Sequence, residues 1–140
     1  MSTPKILVPV DGSAHSIRAT HYAIKIAKRL EAEILLIHCH KPFPVTLGEP
    51  YLQKAITKRL ENSNRLLQEY REILHAADVQ FTDRILEGAP GAVISEAAQF
   101  ETCEMIIMGS RGRSDLKGLF LGSVAHRVLH AAPCPVMIVK

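Results

Sequence analysis

No apolar run in this chain approaches the ~20 residues that a membrane-spanning helix needs. The amino terminus offers only Ile6 to Val10 between Lys5 and Asp11, which reads as no secretory leader. The three cysteines, Cys39, Cys103 and Cys134, are far apart and odd in number. They make no disulfide framework, and reduced thiols in a cytoplasmic protein are the simplest reading. Aromatic residues are 5% of the chain, too few for the stacking platform of a single-strand binder. Net charge is only +3, with basic residues beside Glu and Asp through the helical segments, which argues against a nucleic-acid surface. Seven histidines are present, yet neither C-x2-C nor H-E-x-x-H spacing occurs to hold a metal. The expectation is a soluble, cytoplasmic protein with no nucleic-acid partner, no membrane insertion and no metal site.

What is present is a chain of 140 residues, 47% hydrophobic and 22% charged. That is ordinary soluble usage, in one domain, 1–140, long enough to bury a core. Lys5 to Val10 reads as a central strand, and Ser13 as the N-cap of a helix from Ala14 to about Leu30. Ile17, Ala23, Ile24, Ala27 and Leu30 form the apolar stripe of that helix. Glu33 to Cys39 is a second apolar strand, and Lys41 to Pro50 a loop. Tyr51 to Ala77 forms a long helix whose stripe (Leu52, Ala55, Ile56, Leu60, Leu66, Leu67, Tyr70, Ile73, Leu74) is read as core-facing. Val79 to Glu87 alternates apolar with polar, the mark of an edge strand. A short helix from Pro90 to about Phe100, a strand from Glu104 to Met108, a helix from Ser123 to about Ala131 and a strand from Val136 to Val139 complete the chain.

Strand and helix alternating at this rate predict an α/β fold with a five-stranded parallel sheet and helices on both faces. Right-handed crossovers with the third strand at the edge give the order 3-2-1-4-5. The direction of winding reverses between the first and fourth strands, and ligands of open α/β sheets bind at such a switch point. The loops meeting there are Asp11-Gly12-Ser13 and Gly109 to Gly122.

The second of these loops is the unusual one. An apolar strand, Met105-Ile106-Ile107-Met108, leads into Gly109 and Gly112, then Gly122 and Ser123 at a helix start. Glycines admit close approach and positive φ, bare loop N–H groups make an anion-binding concavity, and a helix N-terminus adds donors. Ser123 can add a hydroxyl, and Arg111 and Arg113 positive charge. The plain alternative is a glycine-rich turn before a capped helix. Neither G-x-x-x-x-G-K-[ST] nor a G-x-G-x-x-G fingerprint occurs. No Ser-His-Asp or paired-carboxylate spacing nominates a catalytic residue. His126 and His130, at i and i+4, lack a third metal ligand in sequence.

Gly109-x2-Gly112-x9-Gly122-Ser123, with Met-Gly-Ser-Arg-Gly at its start and Ala-Pro-Cys-Pro-Val after it, resembles the nucleotide-binding signature of the universal stress protein family. Ile6-Leu7-Val8-Pro9-Val10-Asp11-Gly12-Ser13 resembles that family's first strand and turn. The resemblance covers essentially the whole chain, with the segment from about His40 to Asp78 the least diagnostic. It implies a single small Rossmann-like domain of the adenine nucleotide alpha hydrolase-like kind, commonly dimeric, that binds ATP where the glycine motif is kept. Mg2+ or Mn2+ is the ion expected beside the phosphates.

On that reading Pro9 and Val10 line the floor of a nucleotide crevice. Asp11, with Gly12 and Ser13, meets ribose or base, or else serves only the N-terminus of the first helix. Cys39 matches a position flanking adenine in similar proteins, or is an inert core thiol. Met108, Gly109, Ser110, Arg111, Gly112, Arg113, Ser114 and Asp115, with Gly122, Ser123, Val124 and Ala125, carry the phosphates. The function expected is ATP-dependent regulation of conformation or of an unidentified protein partner in a stress response. A slow ATPase or nucleotidyl-transfer enzyme in the same crevice is the alternative, and an interaction module with a degenerate site is a third. The apolar final strand, at a sheet edge, is expected to pair two copies into a homodimer.

Overall fold

A computed structural model of the protein describes residues 2–43, 46–112 and 121–140. The elements are β1 (Lys5–Pro9), α1 (Ala14–Leu30), β2 (Glu33–His40), α2 (Tyr51–Ala76), β3 (Phe81–Glu87), α3 (Pro90–Phe100), β4 (Met105–Gly109), α4 (Ser123–Ala131) and β5 (Val136–Val139). The strands form one parallel sheet in the order β3-β2-β1-β4-β5. The predicted α/β architecture and strand order are therefore those observed.

The sheet divides the core in two. In β1, Ile6 and Val8 face α1 and α2, while Leu7 faces α3 and α4, as the alternation of side chains along a strand requires. All three are fully buried, which is why β1 lacks polar alternation. On the first face, Ala19, Ala23 and Ala27 of α1 recur one helical turn apart, small enough to let the helix lie close to the sheet. Thr20 is buried among them and donates its hydroxyl to the Ser16 carbonyl at 2.8 Å. On the second face, Ile94 and Ala98 of α3 pack with Ala125 and Val128 of α4.

Two of the predicted apolar stripes need correction. Leu30 ends α1 largely exposed, at 47%, and Leu60 of α2 is 41% exposed, whereas Ser63 of α2 is buried. The cause in α2 is length. Its 26 residues extend about 39 Å at 1.5 Å per residue, more than strands of this size can cover. Leu67, Tyr70 and Leu74 lie on the sheet, and Tyr70 already reaches Gly12, past the end of β1. Boundaries differ by small steps. β3 begins at Phe81 rather than Val79, and β4 takes in Gly109, so the glycine loop starts at Ser110. Among the described residues, no helix is long and apolar enough to cross a membrane.

Candidate functional site

At the carboxyl end of β1, the Val10 N–H still bonds to the Ile37 carbonyl at 2.9 Å, so the chain leaves the sheet only at Asp11. Gly12 turns it with φ 85, a left-handed conformation that costs an L side chain energy. Asp11 Oδ1 then accepts the Ser13 N–H at 2.9 Å, and Ser13 Oγ accepts the Ser16 N–H at 3.1 Å. Ser13 is thus the N-cap of α1, as predicted, and the Asp11 carboxylate serves the helix start.

The neighbouring strand, β4, ends at Gly109. A Cβ there would lie 2.7 Å from the His15 Cβ, so the absence of a side chain lets α1 rest against the strand end. The loop that follows is pinned at both ends, because the Gly122 N–H bonds to the Ser110 carbonyl at 2.6 Å. Gly112 comes so close to the first loop that a Cβ on it would stand 2.6 Å from Asp11 Oδ2. The two loops therefore meet, as the topological argument required. Gly122, with φ −71, is the N-cap of α4 and has no side chain with which to cap it. Its first turn, Gly122 to Ala125, lines the same space, and the first N–H groups of a helix have no partner within it. Positive φ, offered above as one use of these glycines, is found at Gly12 but not at Gly109, Gly112 or Gly122.

Between the loops lies a cavity of about 260 Å³. One end is apolar: Pro9, Val10, Ile37, Cys39 and Met108 from the sheet, with Pro90 and Ile94 from α3. Burial pushes the Cys39 thiol up to about 11, so at neutral pH it is a protonated, weakly polar wall. The other end is formed by Asp11, Ser16, Arg111, Gly112 and the start of α4 from Gly122 to Ala125, with Gly109 between. An apolar slot leading to helix N–H groups suits a ligand with a flat apolar part and an anionic part.

Of the site residues predicted, Pro9, Val10, Asp11, Cys39, Met108, Gly109, Arg111, Gly112, Gly122, Ser123, Val124 and Ala125 line this cavity. Gly12, Ser13 and Ser110 shape the loops without lining it. Ser110 is buried with its Oγ 3.5 Å from His15 Nδ1. Arg113, Ser114 and Asp115 lie outside the described residues. Sequence reasoning missed Ser16, Ile37, Pro90 and Ile94. Ile37 was findable, since it shares a face with Cys39 two residues on. The α3 wall carries no local signal and follows only from the crossover. The His126 and His130 rings, 4.8 Å apart, belong to α4 and do not line the cavity.

A model of the universal stress protein family matches residues 3–140. A Thermus aquaticus protein, the universal stress protein in the QAH/OAS sulfhydrylase 3' region, is 37% identical over 136 residues, or 96% of this chain and 97% of its own. The universal stress protein MJ0531 of Methanocaldococcus jannaschii is 36% identical over 97% of this chain and 81% of its own. Among solved structures, protein MJ0577 superposes with TM-score 0.88 at 27% identity, covering 100% of this chain and 97% of that one. A universal stress protein in complex with cAMP gives TM-score 0.76 at 24% identity, over 100% and 98% of the two chains. An Arabidopsis thaliana family member with AMP bound gives 0.73 at 21%, over 98% and 91%. At these last two identities the likeness is one of fold.

Proposed function

The chain belongs to the universal stress protein family, and from that premise we propose that the crevice between the β1 and β4 loops holds an adenine nucleotide. ATP is the nucleotide we assign, and its occupancy regulates conformation or the choice of a protein partner. The observation that carries this reading is the cavity's lining, apolar between α3 and the sheet and completed by Gly122 to Ala125 at the N-terminal turn of α4, where a helix has N–H groups to offer an anion. The base lies between Ile37, Cys39 and Ile94, and Asp11 accepts from the ribose. The phosphates meet the N–H groups from Gly122 to Ala125, with Arg111 supplying charge and a divalent ion beside them. Complexes of similarly folded proteins with cAMP and AMP support the adenine reading. We further assign one domain over the whole chain, a cytoplasmic site of action and a homodimer through β5.

No nucleophile or general base is assigned, and the activity we propose is binding, with little or no turnover. The test is mass spectrometry of ligand released on denaturing freshly purified protein, followed by an ATP titration of the melting temperature. An adenine nucleotide is expected, with stabilisation of about 2.7 kcal/mol when free ATP is a hundredfold above its dissociation constant. No released nucleotide together with no thermal shift would reject the proposal. Product accumulating over many equivalents would instead make the protein an enzyme.

A further inference from the structure

Tyr70 is read from sequence as one more member of the apolar stripe of α2, and it is 0% exposed. Its hydroxyl, however, has no business in an apolar stripe, because a buried polar group destabilises the fold unless it is hydrogen-bonded. One of its partners is in the turn beside the crevice and the other in the first turn of α1. The Gly12 N–H donates to it at 3.0 Å, and it is hydrogen-bonded to Ser16 Oγ.

The direction of the second bond follows from counting protons. Each hydroxyl has one proton to give. Ser16 spends its own on the Ser13 carbonyl, at 3.0 Å, so the Tyr70 O–H must donate to Ser16. A single side chain from the α1–α2 face thus receives the N–H of the left-handed Gly12 and donates to a serine that lines the cavity. Asp11, on the same turn, is bonded in its own right to the Ser13 N–H.

Resting on the nucleotide reading above, we propose that Tyr70 is a positioning residue for the crevice. Its hydroxyl holds the Asp11–Gly12–Ser13 turn, and through it ligand binding is coupled to the seating of α2. The phenol is suited to this. Burial, the largest influence, pushes its pKa up, so it keeps its proton at neutral pH. Coupling of this kind is reciprocal: if the seat of α2 sharpens the crevice, an occupied crevice must tighten α2.

Tyr70→Phe keeps the ring and removes only the hydroxyl. Leu74→Val, one turn further along the same buried stripe, damages packing without touching the turn. Isothermal titration should show ATP binding about tenfold weaker in Tyr70→Phe, the equivalent of one lost hydrogen bond, and within about twofold of wild type in Leu74→Val. Hydrogen exchange should show ATP slowing the amides around Leu67 to Leu74 in the wild type but not in Tyr70→Phe. Equal weakening in both variants, or wild-type affinity in Tyr70→Phe, would overturn the proposal. A wild type that binds no ATP removes the nucleotide reading itself. The Gly12 amide, measured without ligand, then still decides whether Tyr70 holds the turn: its exchange should be faster in Tyr70→Phe, and an unchanged rate would show that it does not.

Discussion

A methyl group added at Gly109 would lie 2.7 Å from the His15 Cβ and 2.8 Å from its carbonyl carbon, atoms fixed in the first turn of α1. At Gly122 the nearest atom would be the Arg111 Cα, at 3.2 Å, in a loop outside both halves of the core. Two glycines of one motif thus differ in their surroundings, one packed against α1 and one against the backbone of the loop beside the crevice; on the proposed reading the second admits the ligand. Gly109→Ala should therefore lower the melting temperature, at an overpacking cost of about 1–3 kcal/mol. Gly122→Val should keep the fold while weakening ATP binding by about tenfold or more, the equivalent of ~1.4 kcal/mol. Calorimetric melting and ATP titration of both variants check the pair; a folded Gly122→Val with unchanged affinity would detach this loop from the ligand. Sequence spacing could not separate the two, because the neighbour that decides, His15, lies far away in the chain. Asp11 was legible as a switch-point residue, since its place depends only on strand order. Pro90 and Ile94 were not, because nothing near them in sequence marks the side of α3 that meets the crevice.

Among the elements, the end of α3 is tied to the sheet by charge. Glu101 accepts from the Lys5 ammonium of β1 at 2.9 Å and also pairs with Arg84 of β3, and its side chain is only 11% exposed. The hydrogen bond from Lys5, the largest influence, holds the carboxyl below the ordinary 4.5 of a glutamate. A carboxylate with a lowered folded-state pKa stabilises the protein above its unfolded value, and that contribution is lost as pH falls through the folded value. Glu101→Gln should accordingly melt below wild type at pH 7, and the two should converge as pH falls below the ordinary 4.5 of a glutamate. A difference that persisted undiminished into acid would mean that packing, not charge, fixes this end of α3. Element types and order were legible because buried strands and amphipathic helices differ in period. The outward turn of Leu60 and the burial of Ser63 were not, since both depend on where a helix outruns the sheet. Periodicity alone carries no such length scale.

For the whole molecule, β5 forms one of the two edges of the sheet. The Ile106 N–H bonds to the Pro135 carbonyl and the Ser110 N–H to the Val139 carbonyl, so alternate residues face β4. Val136 and Ile138 consequently turn their main-chain groups away from β4, at the open side of the strand. Ile138→Pro removes one outward donor and leaves the β4–β5 ladder intact. If β5 joins two copies, the variant should sediment as monomer at concentrations where wild type is a dimer; a dimer indifferent to the change would place the interface elsewhere. The strand order that puts β5 at an edge also keeps the two halves of the core apart, with α1 and α2 on one face and α3 and α4 on the other, and the crevice draws residues from both at the end of the sheet. Mutational drift can therefore proceed at different rates on the two sides of the sheet. Substitutions deep under α1 and α2 change how firmly the chain folds, and on that side Val10, Ser16 and Tyr70 are the positions that also reach the crevice.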